Sequence, residues 1–156
     1  MTKKMKNNIN KRYWIQYALK LAEQALKIGE IPVGAVITLN NKLIGEGKNC
    51  VINNNDPTAH AEIIAIRNAA KFKKNYRLTN SLIYVTLEPC LMCYGALIYS
   101  RIKKIIFGTY DNKNNITRIL QKILINNIKK NKIKNKILTK KCSDILIDFF
   151  KNKRKK

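Results

Sequence analysis

From Tyr13 to Ile28 the apolar residues Trp14, Tyr17, Ala18, Leu21, Ala22, Ala25 and Leu26 recur at the spacing of one helical face. Gly29 follows as a natural helix stop. The pattern then changes period. The β-rich run VGAVITL (Val33 to Leu39), Asn40-Asn41 and KLIGEGKN predict two strands around a short Asn turn. DPTAHAEIIAIRNAAKF returns to helical spacing, with Asp56 as a good N-cap, Pro57 as a good first helical residue and an end near Phe72. SLIYVTL (Ser81 to Leu87) predicts a strand. EPCLMCYGALIYS predicts a helix opened by Pro89 and running to about Tyr99, and KKIIFGT (Lys103 to Thr109) a further strand.

After Thr109 the signal weakens. RILQKILI predicts a short helix and NKIKNK a short strand. LTKKCSDILIDFFKNK predicts a terminal amphipathic helix with Leu138, Cys142, Ile145, Leu146 and Phe149 inward, and KNKRKK a frayed tail, the alternative being a phosphate contact. Strand and helix alternate through the middle, which argues for an α/β sandwich with a hairpin feeding a mostly parallel sheet. A chain of 156 residues suits one compact domain and is short for two, so a single domain spanning 1–156 is expected, ordered from about 11 to 152 between basic tails. The apolar runs are too short and interrupted to span a bilayer. The basic N-terminus lacks an apolar core and a small-residue cleavage site, so no secretory signal is read and a cytoplasmic location is expected.

Charge adds a partner class. The 32 Lys+Arg against 9 Asp+Glu give a formal +23, a field that attracts phosphate polyanions. The excess lies mostly in Lys, with Asn and Ile also abundant, and these residues have A- and T-rich codons. Compositional drift in an AT-rich genome gives the same bias, and both readings stay open.

The candidate chemistry sits at two helix mouths. One carries His60, the single histidine, with Glu62 two residues on; the other carries Cys90 and Cys93, spaced to share one face of a first helical turn. Without an export signal, four cysteines (Cys50, Cys90, Cys93, Cys142) do not suggest a disulfide framework, and a C-x-x-C pair reads as metal or redox chemistry. Taken singly, His60 reads as a packed histidine and Glu62 as a solvated first-turn carboxylate. Together, two thiolates and one imidazole make a three-ligand zinc set with a fourth position open to water, the catalytic pattern. A fourth thiolate from Cys50 or Cys142 would instead close it as a structural site. Glu62 is the carboxylate able to take the proton of a zinc-bound water. Regular helical residues i and i+2 point about 200° apart, so His60 must precede the regular helix for both to face one water.

The pattern H-x-E followed by P-C-x-x-C is the zinc nucleobase-deaminase signature. With IPVGAVI, GEGKN, DPTAHAEI, NYRL, LIYVTLEPCLMC, SRI and FGTYDNK, the chain from about Tyr13 to Phe150 resembles the bacterial tRNA-specific adenosine deaminases of the TadA type. The resemblance implies a cytidine deaminase-like three-layer α/β/α sandwich with a central mixed five-stranded sheet. It implies one zinc ion per subunit on His60, Cys90 and Cys93, and Glu62 as proton shuttle. It also implies Asn49, Val33, Ala35 and Asp111 as substrate contacts, a homodimer, and conversion of adenosine to inosine at the wobble position of an arginine tRNA. The alternative is a free-base or nucleotide deaminase for guanine or cytosine with the same zinc chemistry. The segments NNITRIL and NNIKKNKIKNK depart from the family pattern, so the resemblance says least about substrate contacts there.

Overall fold

The computed structural model describes residues 3–111, 133–136 and 140–155, with side chains described for 10–111 and 140–155. Helix α1 (Lys3–Lys27) leads to the hairpin β1 (Gly34–Leu39) and β2 (Lys42–Lys48), then a short helix α2 (Val51–Asn54) and α3 (Ala61–Lys73). Strand β3 (Leu82–Leu87), α4 (Leu91–Tyr99), β4 (Lys104–Thr109), β5 (Ile133–Lys136) and α5 (Lys140–Arg154) follow. The strands form one sheet in the order β2-β1-β3-β4-β5. β1 pairs antiparallel with both β2 and β3, whereas β3–β4 and β4–β5 are parallel. The sheet is therefore mixed, as the resemblance implies, rather than mostly parallel as strand–helix alternation alone suggests.

Alternation along the strands divides the core in two. Ala35, Ile37, Ile83, Val85, Ile105 and Phe107 point to one face, where Ala61, Ala65, Ala69, Tyr94 and Leu97 of α3 and α4 cover them. Val36, Tyr84 and Ile106 point to the other face and meet Trp14, Ile15, Ala18 and Ala22 of α1. α5 touches α1, β3 and β4, with Cys142 in the second cluster and Leu146 in the first. Helices on both faces of a central sheet make the three layers.

The Asn turn forms as expected. Asn40 and Asn41 both take positive φ (49° and 61°), the conformation a two-residue type I′ hairpin requires. The Trp14 indole N–H donates to Asn41 Oδ1 at 2.8 Å, fastening α1 to the turn. The glycines of β2 set how closely the hairpin approaches α3. A Cβ on Gly45 would lie 2.6 Å from both Ala65 O and Ala69 N, and one on Gly47 would meet Ala61 O and lie 2.7 Å from Ala65 N. β2 thus rests directly on the backbone of α3, whose first turn carries Glu62.

Several boundaries differ from expectation. α1 starts at Lys3, well before Tyr13, because its polar first turns carry no apolar periodicity to read. α2 is a four-residue helix that no pattern announces. The short helix expected in RILQKILI, and Leu138, lie outside the described residues; of NKIKNK, the stretch Ile133–Lys136 is strand.

Candidate active site

Topology gathers the chemistry. β1 runs antiparallel to both β2 and β3, so β2 and β3 run the same way, and β4 is parallel to β3. The C-terminal ends of β2, β3 and β4 and the start of β1 therefore share one edge of the sheet. α3 and α4 begin just beyond that edge, where open α/β sheets bind their ligands.

Neither helix opens at its proline. Asp56 Oδ1 accepts from Thr58 N–H (2.8 Å) and Thr58 Oγ1 (2.7 Å), closing a tight turn through Pro57 instead of capping α3. α3 starts at Ala61 with His60 as N-cap at φ −69°, ψ 153°, and α4 starts at Leu91 with Cys90 as N-cap at φ −70°, ψ 172°. A fixed proline φ suits a turn as well as a first helical residue, so the sequence reading places both starts too early. The extended backbone at His60 removes the angular conflict with Glu62, since His60 stands outside the regular helix.

His60 Nδ1 lies 3.5 Å from Cys90 Sγ and 3.5 Å from Cys93 Sγ. The three donor atoms are all within 4.8 Å of one another, and they form the metal-competent group found among the described residues. With Zn–S near 2.3 Å and Zn–N near 2.0–2.1 Å, tetrahedral coordination puts sulfur and nitrogen about 3.5–3.6 Å apart. The observed spacing fits a zinc ion. Cys50 (N-cap of α2) and the buried Cys142 lie outside the group.

The local charges agree with a site built for a cation. The hydrogen bond from Cys93 pulls the Cys90 thiol down to about 4, against burial and helped by His60. The same bond, with burial, pushes Cys93 up. A soft metal binds thiolates, so a lowered Cys90 suits it. The hydrogen bond with Cys90 raises His60 against the opposing effect of burial. Glu62 is 4% exposed, and burial pushes its carboxyl up to about 7.

These groups open into a cavity of about 670 Å³, within the range of small-molecule sites. Val33 and Asn49 line it beside His60, Glu62 and Cys90, and so does Asp111, whose N–H donates to Glu88 Oε2 at 3.1 Å. Ala35 does not: it is fully buried in the core between sheet and α3, further along β1. Sequence reading missed Glu30, Ile52, Tyr110 and Phe150, which also line the cavity, as do Lys151 and Arg154 of the basic KNKRKK run. Glu30 had a local signal, an acid isolated among apolar residues in KIGEIPVGA. Phe150 on α5 had none, because only tertiary folding brings it to this edge.

Fold and site together define a deaminase of the cytidine deaminase-like class. Residues 9–154 match the family described as MafB19-like deaminase. The chain is 51% identical over 146 residues to the tRNA-specific adenosine deaminase of Buchnera aphidicola subsp. Baizongia pistaciae, covering 92% of this chain and 90% of that one. Among solved structures, it is similar to a tRNA:A34 deaminase of A-to-I editing at the wobble position (TM-score 0.64, 39% identity, 65% of this chain and 78% of that one). It is also similar to guanine deaminase from Bacillus subtilis (TM-score 0.64, 28% identity, 93% and 94%). The chain belongs to the MafB19-like deaminase family, and within it to the tRNA-specific adenosine deaminases.

Proposed function

We propose that the protein is a hydrolytic deaminase that converts adenosine to inosine at the wobble position of a tRNA anticodon, an arginine tRNA being the expected substrate, with water consumed and ammonia released. The observation that carries it is the convergence of His60, Cys90 and Cys93 beside the buried Glu62, in a chain 51% identical to a tRNA-specific adenosine deaminase. An anticodon loop offers its base unpaired, so a recessed site can receive it without opening a duplex. A tRNA substrate sets the reaction in the cytoplasm, and among the described residues no helix is long and apolar enough to cross a membrane.

His60 Nδ1 and the two sulfurs would hold the zinc ion. Bound there, zinc would supply a Lewis acid and a water acidic enough to attack near neutral pH. The chain's own residues do the rest. Glu62, set in the first turn of α3, carries both protons of the attacking water in turn, one to the ring nitrogen and one to the amine, which leaves as ammonia. Val33, Ile31 and Ile52 give the base apolar contact, while Asn49 supplies a polar one. Lys151 and Arg154, with the exposed Tyr110 ring, suit the flanking phosphates and bases of an RNA loop.

The test is incubation of zinc-loaded protein with an arginine tRNA bearing adenosine at the wobble position, conversion being read by sequencing as A-to-G. Free guanine and cytosine are assayed in parallel. Conversion of the tRNA without turnover of free bases is expected. Turnover of guanine or cytosine with an untouched tRNA would move the protein to the free-base deaminases.

A homodimer is part of the same reading. Its support is the surface of α4, where Leu91 is 59% and Tyr99 85% exposed with Met92 beside them. Sedimentation equilibrium is expected to give twice the 18.0 kDa chain mass. A monomer mass at micromolar concentration would remove it.

A further inference from the structure

The cavity wall contains a buried carboxylate for which the deamination chemistry has no use. α1 ends in a left-handed Gly29 (φ 81°), with Gly29 N–H donating to Leu26 O at 3.0 Å and Glu30 N–H to Ala25 O at 3.0 Å. This Schellman-type stop turns Glu30 inward, where it is 0% exposed. Its Oε1 accepts from Asn53 N–H at 2.8 Å and Asn53 Nδ2 at 2.9 Å, and its Oε2 accepts from Asn49 Nδ2 at 3.0 Å. Burial raises the Glu30 pKa, but the hydrogen bonds from Asn53, Ile52 and Asn49 outweigh it and leave the carboxyl lowered, hence ionised.

An ionised carboxylate only accepts hydrogen bonds, so an amide beside it must turn its NH₂ toward it. Asn49 therefore has its amide orientation dictated. Its Oδ1 accepts no bond from the described residues, although Asn49 is 5% exposed and lines the cavity with His60 and Glu62. Asn49 N–H donates to Val33 O at 3.0 Å, which holds the main chain as well. We infer that Glu30 is a positioning residue for substrate recognition: it fixes the Asn49 amide so that Oδ1 meets a hydrogen-bond donor of the bound nucleoside, and it anchors α2 as the adjoining wall. A buried charge held by amides alone is a costly way to fasten a loop, since apolar packing does so without desolvating an ion. The expense is accounted for when the orientation of the amide matters. The inference rests on the adenosine-deaminase reading.

A double-mutant cycle on the full-length, zinc-loaded protein tests it, with Glu30→Gln, Asn49→Ala and both together. The amide introduced by Glu30→Gln can present either its oxygen or its NH₂, so the Asn49 amide is no longer held in one orientation. kcat/KM for wobble-adenosine tRNA is expected to fall at least about 10-fold in each single variant, with the double variant within about 2-fold of Asn49→Ala. Zinc content should stay at the wild-type level in all three. A 10-fold loss from Glu30→Gln that persists in the Asn49→Ala background would overturn the inference, because Glu30 would then act apart from Asn49. So would a Glu30→Gln enzyme as fast as wild type. Should Glu30→Gln not fold, Glu30→Asp runs the same cycle, keeping the charge but withdrawing it by one methylene. Wild-type turnover is measured first: its absence would remove the tRNA reading itself, whereas normal wild-type turnover with an indifferent Glu30 removes only this role.

Discussion

Glu62→Ala is expected to leave the protein folded, loaded with zinc and able to bind its tRNA, while inosine formation falls by about 10²–10⁴-fold or more, the range supplied by a positioned acid–base group. The expectation follows from placement. Glu62 stands two residues beyond the N-cap His60, and its side chain is 4% exposed at the cavity with Cys90 and His60. Neither Sγ nor Nδ1 of the metal group is lost when it is truncated. Glu62→Gln separates chemistry from packing, since it keeps the side chain's volume and removes only its capacity to cycle a proton. Single-turnover conversion of the tRNA, zinc content by mass spectrometry and tRNA binding by gel shift give the three readings. A rate within tenfold of wild type in the Glu62→Gln variant would take Glu62 out of the mechanism. Loss of zinc in that variant would instead make Glu62 a support of the metal site.

How much of this is legible in the chain depends on where each signal resides. The hairpin can be read because Asn40-Asn41 is a local instruction, and both residues do take positive φ. His60, Cys90 and Cys93 can be read because these residue types at two helix mouths have few other shared uses, and they do converge. The two helix starts are misplaced in sequence because the fixed φ of Pro57 and Pro89 suits a turn and a helix N-terminus alike, and at α3 the choice falls to the Thr58 hydrogen bonds. The mixed sheet is illegible to periodicity. Strands buried on both faces, such as β3 and β4, read as continuous apolar runs whatever their direction. Ala35 is drawn into the pocket by its place in a motif, yet it shares the face of Val33 one step further along β1, where the core covers it. That Phe150 of α5 reaches the cavity cannot be read at all, because it lies far beyond Cys93, the last residue of the metal-competent group, in sequence.

Cys93→Ala is expected to empty the metal site and end inosine formation, because it removes one of three donors spaced for tetrahedral coordination. The metal would join the start of α3 to the start of α4, with His60 and Cys90 30 residues apart in the chain, so its loss should register in stability as well. A ligand at about 100 to 1,000 times its Kd adds about 2.7 to 4.1 kcal/mol to the folded state. In a domain of this size each kcal/mol moves Tm by about 2–4 °C. Stripping zinc from the wild type with a strong chelator is therefore expected to lower Tm by roughly 5–16 °C, and the same chelator should leave the Tm of Cys93→Ala unmoved. Full zinc content in Cys93→Ala would contradict the ligand set. The remaining thiols decide whether the site is open. Cys50 caps α2, and Cys142 is buried against α1 and the sheet, both outside the metal group. Cys50→Ala and Cys142→Ala should therefore retain one zinc per chain, and with it the open fourth position that a hydrolytic site needs and a four-coordinate structural site lacks. Loss of zinc in either would close that position and move the metal from catalysis to architecture.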